Sequence, residues 1–316
     1  MADISSSSFD PFAGPTILAT APSTEPQREI WTACALGDEA TLAFNESILL
    51  KLRGALDVPA FHGALSDLVA RHEALRITFS GDGLTLLVGA PFEAQLTQRD
   101  LSELSAEAAD SELTRLATAE VSLPFDLGKG PLFRAHLLGL PRSRDAAEQG
   151  HALIFTAHHI VCDGWSTAVL LRDWAAFYNA RKRAAVASLP EADSFSGYAR
   201  ARAELTPPTR QRDEAYWVKQ FEGELPILDL PSERARPSRK TFNAGREDLV
   251  LAPELVVAVR RAGSKARASL FATLLAAFNV LVHRLTGQAD LIVGIPAAGQ
   301  AAEGRNELVG HCVNML

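Results

Sequence analysis

Residues 152–166 constrain the fold more than any other stretch. Ala152–Ala157 is an apolar run of strand length, it ends on the pair His158 and His159, and Ile160-Val161-Cys162-Asp163-Gly164 then leads into a helix that starts around Trp165. A strand that gives way to a helix within a few residues belongs to a mixed fold in which sheets and helices pack as layers. Such a junction also holds functional side chains well. An imidazole placed there can take or hold a proton near neutral pH, because its ordinary pKa is about 6.5. Successive strand residues point to opposite faces, so one histidine of the pair faces a cleft and the other is structural. Asp163, in a turn closed by Gly164, is placed to pair with an arginine and fix the loop. A helical zinc site would set its histidines at i and i+4, which this segment does not do. On spacing alone a metal site of another kind, or core histidines with satisfied hydrogen bonds, stays open.

No internal repeat at solenoid or propeller period is present, so the other segments read singly. Ser47–Arg53 alternates as a strand, and Asp57 with Pro59 supplies the cap and first-turn proline of a helix. That helix carries its apolar face on Phe61, Leu65, Leu68 and Val69 and ends around Arg71–Ala74. Leu75–Phe79 and Leu84–Val88 are strand-like and joined by the tight turn Gly81-Asp82-Gly83. Residues 101–119 read as an acidic amphipathic helix, and Pro131–Leu140 and Ala152–Ala157 as two strands joined by the polar loop Pro141–Gly150. Trp165–Arg183 reads as a helix and Ala184–Asp193 as a linker. Beyond it come helices at 197–206 and 210–222, a stretch punctuated by Pro226, Pro231 and Pro237, helices near 253–266 and 268–285, and a strand at Asp290–Ile295. The expected fold class is α/β, with α+β sandwich lobes. The expected division is a flexible lead at 1–13, a first lobe at 14–190 and a second lobe at 191–316.

A net charge of −7 lacks the basic excess of nucleic-acid binding or of attraction to anionic membrane, so neither partner is expected. The three cysteines, Cys34, Cys162 and Cys312, are far apart and form no CxxC pair, which fits free thiols in a reducing cytosol and no zinc site. The opening MADISSSSFDPFAGP has neither the charged nor the apolar region of a signal peptide, and Ser5–Ser8 reads as linker. The longest apolar run, Leu270–Leu285, is broken by Asn279, His283 and Arg284 and falls short of the roughly 20 residues that span a bilayer. It reads as a buried helix, and a cytoplasmic location is expected.

The segment His158-His159-Ile160-Val161-Cys162-Asp163-Gly164-Trp165-Ser166 resembles the HHxxxDG motif of nonribosomal-peptide-synthetase condensation domains. Its DGWS ending is closer to peptide-bond-forming members than to epimerisation domains, and cyclisation domains carry two aspartates instead. Arg71–Phe79 is similar to the family's RHExLRTxF, and Thr24–Trp31 to its SxAQxRLW. Weaker matches are Phe195–Ala199 to FxDYA, Leu228-Asp229-Leu230-Pro231 with Arg236-Pro237 to LDLP followed by RP, Thr286–Gly294 to TGQxD with its strand, and Val309–Asn314 to VGxFVN. The resemblance runs in family order from about residue 16 to the last residue. Three departures stand out: Glu29 where arginine is usual, Gly197 in place of an aspartate, and an end at a point where family members continue.

The resemblance implies two lobes shaped like chloramphenicol acetyltransferase subunits in a V-shaped pseudo-dimer, with the second lobe incomplete. It implies amide bond formation between a donor acyl or peptidyl thioester and the α-amine of an acceptor aminoacyl thioester. The partners it implies are donor and acceptor peptidyl carrier proteins, or an acyl carrier protein as donor, with neighbouring synthetase domains. No cofactor or metal of the chain's own is implied, since the phosphopantetheine arms belong to the carriers. His159 is then the active-site histidine and His158 the inward structural one. Asp163 is a structural residue paired with Arg76 or, second, with Arg71. Gly164 shapes the turn or aims its backbone N–H at the reacting centre. Trp165 and Ser166 open the following helix, Ser166 as a cap or a substrate contact, and Asn314 faces the tunnel or turns a strand end. His62, His72, His136, His151, His283 and His311 have no partners that sequence identifies. Two other functions share these features: a truncated non-catalytic module that docks carriers or recruits an enzyme, and a stand-alone coenzyme A-dependent acyltransferase.

Overall fold

The computed structural model describes residues 16–142, 150–204, 207–232, 237–238, 241–242 and 244–316. The expected lead at 1–13, most of the loop after Pro141, and Arg236 lie outside the described residues. In chain order the first part contains β1 (Ile17–Pro22), α1 (Glu25–Cys34), α2 (Asp38–Leu42), β2 (Asn45–Leu52), α3 (Val58–Arg71), β3 (Ile77–Phe79), β4 (Thr85–Gly89), β5 (Thr97–Asp100), α4 (Ala106–Val121), β6 (Phe133–Gly139), β7 (His151–His158), α5 (Gly164–Lys182) and α6 (Phe195–Ala203). Then follow α7 (Pro207–Gln220), α8 (Pro253–Lys265) and α9 (Leu270–Thr286), and last β8 (Pro296–Ala298), α10 (Gly299–Ala302) and β9 (Val313–Met315). The expected mixed class of strands and helices is what these elements form.

Two compact units result: the described residues up to Glu204 with Pro296–Met315, and those from Pro207 to Ile295 with Leu316. The division does not fall at the expected 190/191 boundary. The reason is α6, whose Phe195, Tyr198 and Ala199 are buried with Ile77, Leu86, Leu308 and Cys312. Its first turn is also held by Glu73, whose carboxylate accepts from the Ser196 amide at 2.9 Å.

The first unit is organised by a four-stranded sheet in the order β2-β7-β6-β5, with β7 antiparallel to both neighbours and β5 parallel to β6. Every residue of β7 from Ala152 to His158 is buried, which a strand needs when layers cover both of its faces. Leu153, Phe155 and Ala157 face α3 and α5, packing with Leu65, Leu68, Val69, Leu170 and Trp174. Ala152 and Ile154 face the other way, onto Ala109 and Leu113 of α4. Burying a leucine or phenylalanine fully is worth about 1.5–3 kcal/mol each, so this two-sided packing holds β7, and with it the strand end that carries the histidines. A second sheet, β1-β4-β3, is closed by the Gly81-Asp82-Gly83 turn at the expected place, and β8 pairs with β9 in a third.

Most expected elements lie within a few residues of their places. The α3 helix opens on Asp57, whose side chain accepts from the Ala60 amide at 2.9 Å, with Pro59 in the first turn. The acidic helix begins only at Ala106, because Ser105 caps it and Asp100 holds the preceding turn through the Ser102 amide. Asp290–Ile295 forms no strand: Ile295 bonds Leu316 in both directions, and the ladder itself starts at Pro296. Nor is the Leu270–Leu285 run a buried helix, since Val282 alone of α9 is buried. Among the described residues no single helix is long and apolar enough to cross a membrane, and α8 with α9, which together reach that length and composition, bend by 97°.

Phe271, Leu274, Phe278, Leu281 and Leu285 of α9 are all exposed. Apolar patches of this kind drive association. The 316-residue chain is expected to scatter light as oligomers at micromolar concentration, and Phe278→Lys with Leu281→Lys is expected to shift it toward monomer. A monodisperse wild-type monomer that binds no apolar dye contradicts this.

Candidate active site

The motif turn is assembled from three separate parts of the first unit. Gln27, buried in the first helix, caps its own N-terminus in a reciprocal pair with Thr24 and donates from Nε2 to the Ile160 carbonyl at 3.0 Å. The opening Thr24–Trp31 segment therefore braces the turn after β7, while Glu29 lies on the exposed side of α1. The third part is the returning segment around Gln300 and Val309–Cys312.

Asp163 is where the parts meet. Fully buried, it caps α5: Oδ1 accepts from the Ser166 amide at 2.8 Å and lies 2.7 Å from the Ser166 hydroxyl, while Oδ2 accepts from Gln300 Nε2 at 2.8 Å and from the Cys312 amide at 3.1 Å. Four donors occupy the acceptor capacity of a carboxylate, and the helix N-terminus adds favourable dipole. The expected ion pair with Arg76 is therefore not formed. Arg76 instead donates from Nη1 to the Gly89 carbonyl at 2.6 Å and from Nε to the Val69 carbonyl at 3.3 Å, and burial lowers its pKa. Arg71 is no partner of Asp163 either. Its Nε donates to Asp173 at 2.8 Å, beside His72 Nε2 at 2.9 Å from the same oxygen, with Arg172 on the other oxygen. Burial alone would raise the Asp173 carboxyl, but the hydrogen bonds from His72, Arg172 and Arg71 outweigh it and bring it to about 2.

Ser166 is buried within this clasp: its hydroxyl lies 2.9 Å from the Gly310 carbonyl and accepts from the Gly310 amide at 2.9 Å. It is neither the helix cap, which is Asp163, nor open to a substrate. Gly310 has φ +152°, and a Cβ there would meet the Phe195 ring at 2.0 Å, so only glycine passes. Gly164 is different, since a side chain there would meet open space. As the first residue of α5 its amide has no partner inside the helix. Trp165 donates from Nε1 to the Asn306 carbonyl at 3.2 Å, and Asn314 is exposed in β9 opposite Ala297.

The two histidines separate as strand alternation requires. His158 is fully buried; its Nδ1 accepts from the Ile160 amide at 3.2 Å, so the proton sits on Nε2, 3.7 Å from Cys34 Sγ. Burial, then the nearby His159 and His311 rings, push its pKa down to about 3, so it stays neutral. His159 is partly exposed. Its Nδ1 lies 2.7 Å from the Cys162 carbonyl and 3.2 Å from Glu46 Oε1. A ring nitrogen between two oxygen acceptors carries the hydrogen, which leaves the lone pair on Nε2. The His311 ring packs edge-on at 4.7 Å; it is buried, its Nδ1 has no hydrogen-bond partner among the described residues, and burial pushes it down to about 4.

Glu46 and Gln300 thus join the site although the sequence does not mark them, and His311 and Cys312 join it in a role that the sequence does not assign. Glu46 stands one residue ahead of the strand as read there, and Gln300 is 137 residues from Asp163, a separation over which no local pattern speaks. The cysteines offer no thiolate, since burial raises Cys34 and Cys312 and takes Cys162 to about 12. Among the described residues no three His, Cys, Asp or Glu side chains are placed to hold a metal ion.

Residues 17–316 match the family described as Condensation domain. The chain is 34% identical over 294 residues to a linear gramicidin synthase polypeptide of Brevibacillus parabrevis, covering 92% of the chain and 6% of that protein. Among solved structures it is similar to the starter condensation domain of rhizomide synthetase RzmA, with TM-score 0.78, 22% identity, and coverage of 94% of this chain and 66% of that one. It is also similar to the X-domain solved in complex with OxyB from teicoplanin biosynthesis, with TM-score 0.76, 27% identity, and coverage of 96% and 66%. The chain thus spans a small fraction of its synthetase relative and about two thirds of the solved domains.

Two outcomes follow from this geometry. Asp163→Ala strands the Ser166 and Cys312 amides and Gln300 Nε2, so it is expected to cost about 3 kcal/mol or more in denaturant unfolding, with Asp163→Asn falling between it and wild type; an Asn variant as damaged as Ala contradicts the neutral-donor clasp. Separately, the folded state holds His158 and His311 below the about 6.5 of the unfolded chain, so the unfolded state binds more protons and stability rises with pH. Stability is expected to be complete above pH about 6.5 and to fall by on the order of a few kcal/mol as pH drops toward 4, and His158→Phe should flatten that slope if the protein still folds. A flat wild-type profile across this window contradicts the neutral pair.

Proposed function

Since the chain belongs to the condensation-domain family, we propose that it forms an amide between a donor acyl or peptidyl thioester and the α-amine of an acceptor aminoacyl thioester in nonribosomal peptide synthesis. Donor and acceptor carrier proteins present these groups on phosphopantetheine arms, the chain contributes no cofactor of its own, and the work is done in the cytoplasm alongside other synthetase domains. The observation that carries this reading is His159: a partly exposed imidazole at the end of β7, its Nδ1 hydrogen engaged by Cys162 and its Nε2 lone pair free to act, inside an intact His158-His159 to Asp163-Gly164 motif.

The chemistry asks little of a base. A thioester carbonyl is already electrophilic, and an α-amine with reference pKa about 7.7–8.0 is partly neutral at pH 7. As the amine nitrogen bonds to the carbonyl carbon, the C–S bond breaks, one N–H proton passes to Nε2, and that proton then reaches the departing thiolate. Holding the two arms in line supplies up to about 7–11 kcal/mol, whereas a general base contributes about 10²-fold to 10⁴-fold. His159 orients the amine, takes its proton and steadies the tetrahedral intermediate, while Asp163 holds the turn that presents it.

The likeness to the X-domain favours a second reading, a module that binds a partner without forming a bond. In the full-length polypeptide encoded by the gene, His159→Ala is expected to lower single-turnover formation of the carrier-bound amide by roughly 10²-fold or more with an unchanged circular dichroism spectrum. Undiminished turnover in that variant removes His159 from the chemistry. Carrier binding without amide formation by the wild type favours the docking reading, and equal use of a free coenzyme A thioester favours a stand-alone acyltransferase.

A further inference from the structure

Glu46 stands on β2 opposite Ala157, one residue before the histidine pair on the neighbouring strand. The register brings its carboxylate over the end of β7, with Oε1 3.2 Å from His159 Nδ1. The Cys162 carbonyl, at 2.7 Å from the same nitrogen, fixes the rotation of the ring; the carboxylate adds what a carbonyl lacks, a full negative charge. Of the other groups that face His159 from the surrounding elements, Asp163 carries a charge as well, but its oxygens accept from partners other than His159. His158 on β7 and His311 on the returning segment are held neutral by burial, and the Asp163 carboxylate at the start of α5 is occupied by four donors.

We propose that Glu46 is a positioning residue for His159, keeping the hydrogen on Nδ1 and the lone pair on Nε2, and offsetting the positive charge of the ring once Nε2 has taken a proton. The role rests on the reading of His159 given above. In the reaction, a proton leaves the attacking amine for Nε2, the ring carries it as imidazolium with its Nδ1 hydrogen still donated to the Cys162 carbonyl and the Glu46 carboxylate 3.2 Å away, and the same proton passes to the departing thiolate sulfur. Glu46 neither gains nor loses a proton. The local electrostatics agree: burial raises the Glu46 carboxyl, the neighbouring His159 lowers it, and Asp163 raises it. A carboxylate kept at such a place is stabilised mainly by its imidazole partner.

Two measurements test the proposal. In carbon-13 spectra of the 316-residue chain, with the Glu46 resonance assigned through Glu46→Gln, His159→Phe is expected to move the Glu46 titration upward, because the attraction that lowers it has gone. The same titration in both proteins overturns the pairing. In the full-length polypeptide, Glu46→Gln is expected to lower kcat for amide formation roughly 10-fold with KM for both carriers unchanged, and Glu46→Asp to recover part of the loss. An unchanged kcat, or a loss confined to KM, overturns the positioning role. Should His159→Ala prove fully active, the reading of His159 fails and the role falls with it, while the titration still reports whether the two groups are paired.

Discussion

The buried carboxylate of Asp163 is the interaction on which the site depends. It starts α5, receives the hydroxyl and amide of Ser166, and draws in Gln300 and the Cys312 amide from the far end of the chain. An ion pair would have been the more obvious partner for a buried charge, yet neutral donors serve it better here. They deliver four directed hydrogen bonds at a helix N-terminus without burying a second charge, whose desolvation costs several kcal/mol. The arginines that sequence placed nearby are occupied with tasks of their own, Arg76 on two backbone carbonyls and Arg71 in the Asp173 cluster.

The histidine pair illustrates how one strand end makes two different imidazoles. His158 is enclosed by Phe44, Phe125 and Cys34, accepts a backbone hydrogen bond, and has no route to a charge at neutral pH. His159, one residue on, turns out of the core and meets a carbonyl and a carboxylate. Burial separates their chemistry although the residues are identical.

What could be read in the sequence was what local chemistry determines. Asp57 and Pro59 announce α3 because a cap and a first-turn proline act within four residues, and the Gly81-Asp82-Gly83 turn announces its hairpin in the same way. The alternation of a strand was enough to assign one histidine inward. The errors arose where partners are distant. Apolar residues at Asp290–Ile295 are compatible with a strand, but a strand exists only if a neighbour supplies a ladder, and the ladder runs one step further along at Pro296. The run in α9 specifies a helix that favours burial, and nothing local says what covers it. Gln300 and Cys312 reach Asp163 across 137 and 149 residues, beyond any window in which a pattern could announce them.

That separation has a consequence for how the protein is made. At roughly 5–20 residues per second, the 149 residues between Asp163 and Cys312 take on the order of 10 s to be added by a ribosome. During that interval the sheet carrying β7 can already pack against α3, α4 and α5, but two acceptor positions of Asp163 await donors that do not yet exist. The nascent chain therefore carries most of its core, short of Leu308, Val309 and Cys312, together with an unfinished motif turn. The histidines already have most of their partners in the early segment, Cys162 and Glu46 for His159 and Ile160 for His158, so what the late segment completes is the clasp on Asp163 and the His311 ring against His159.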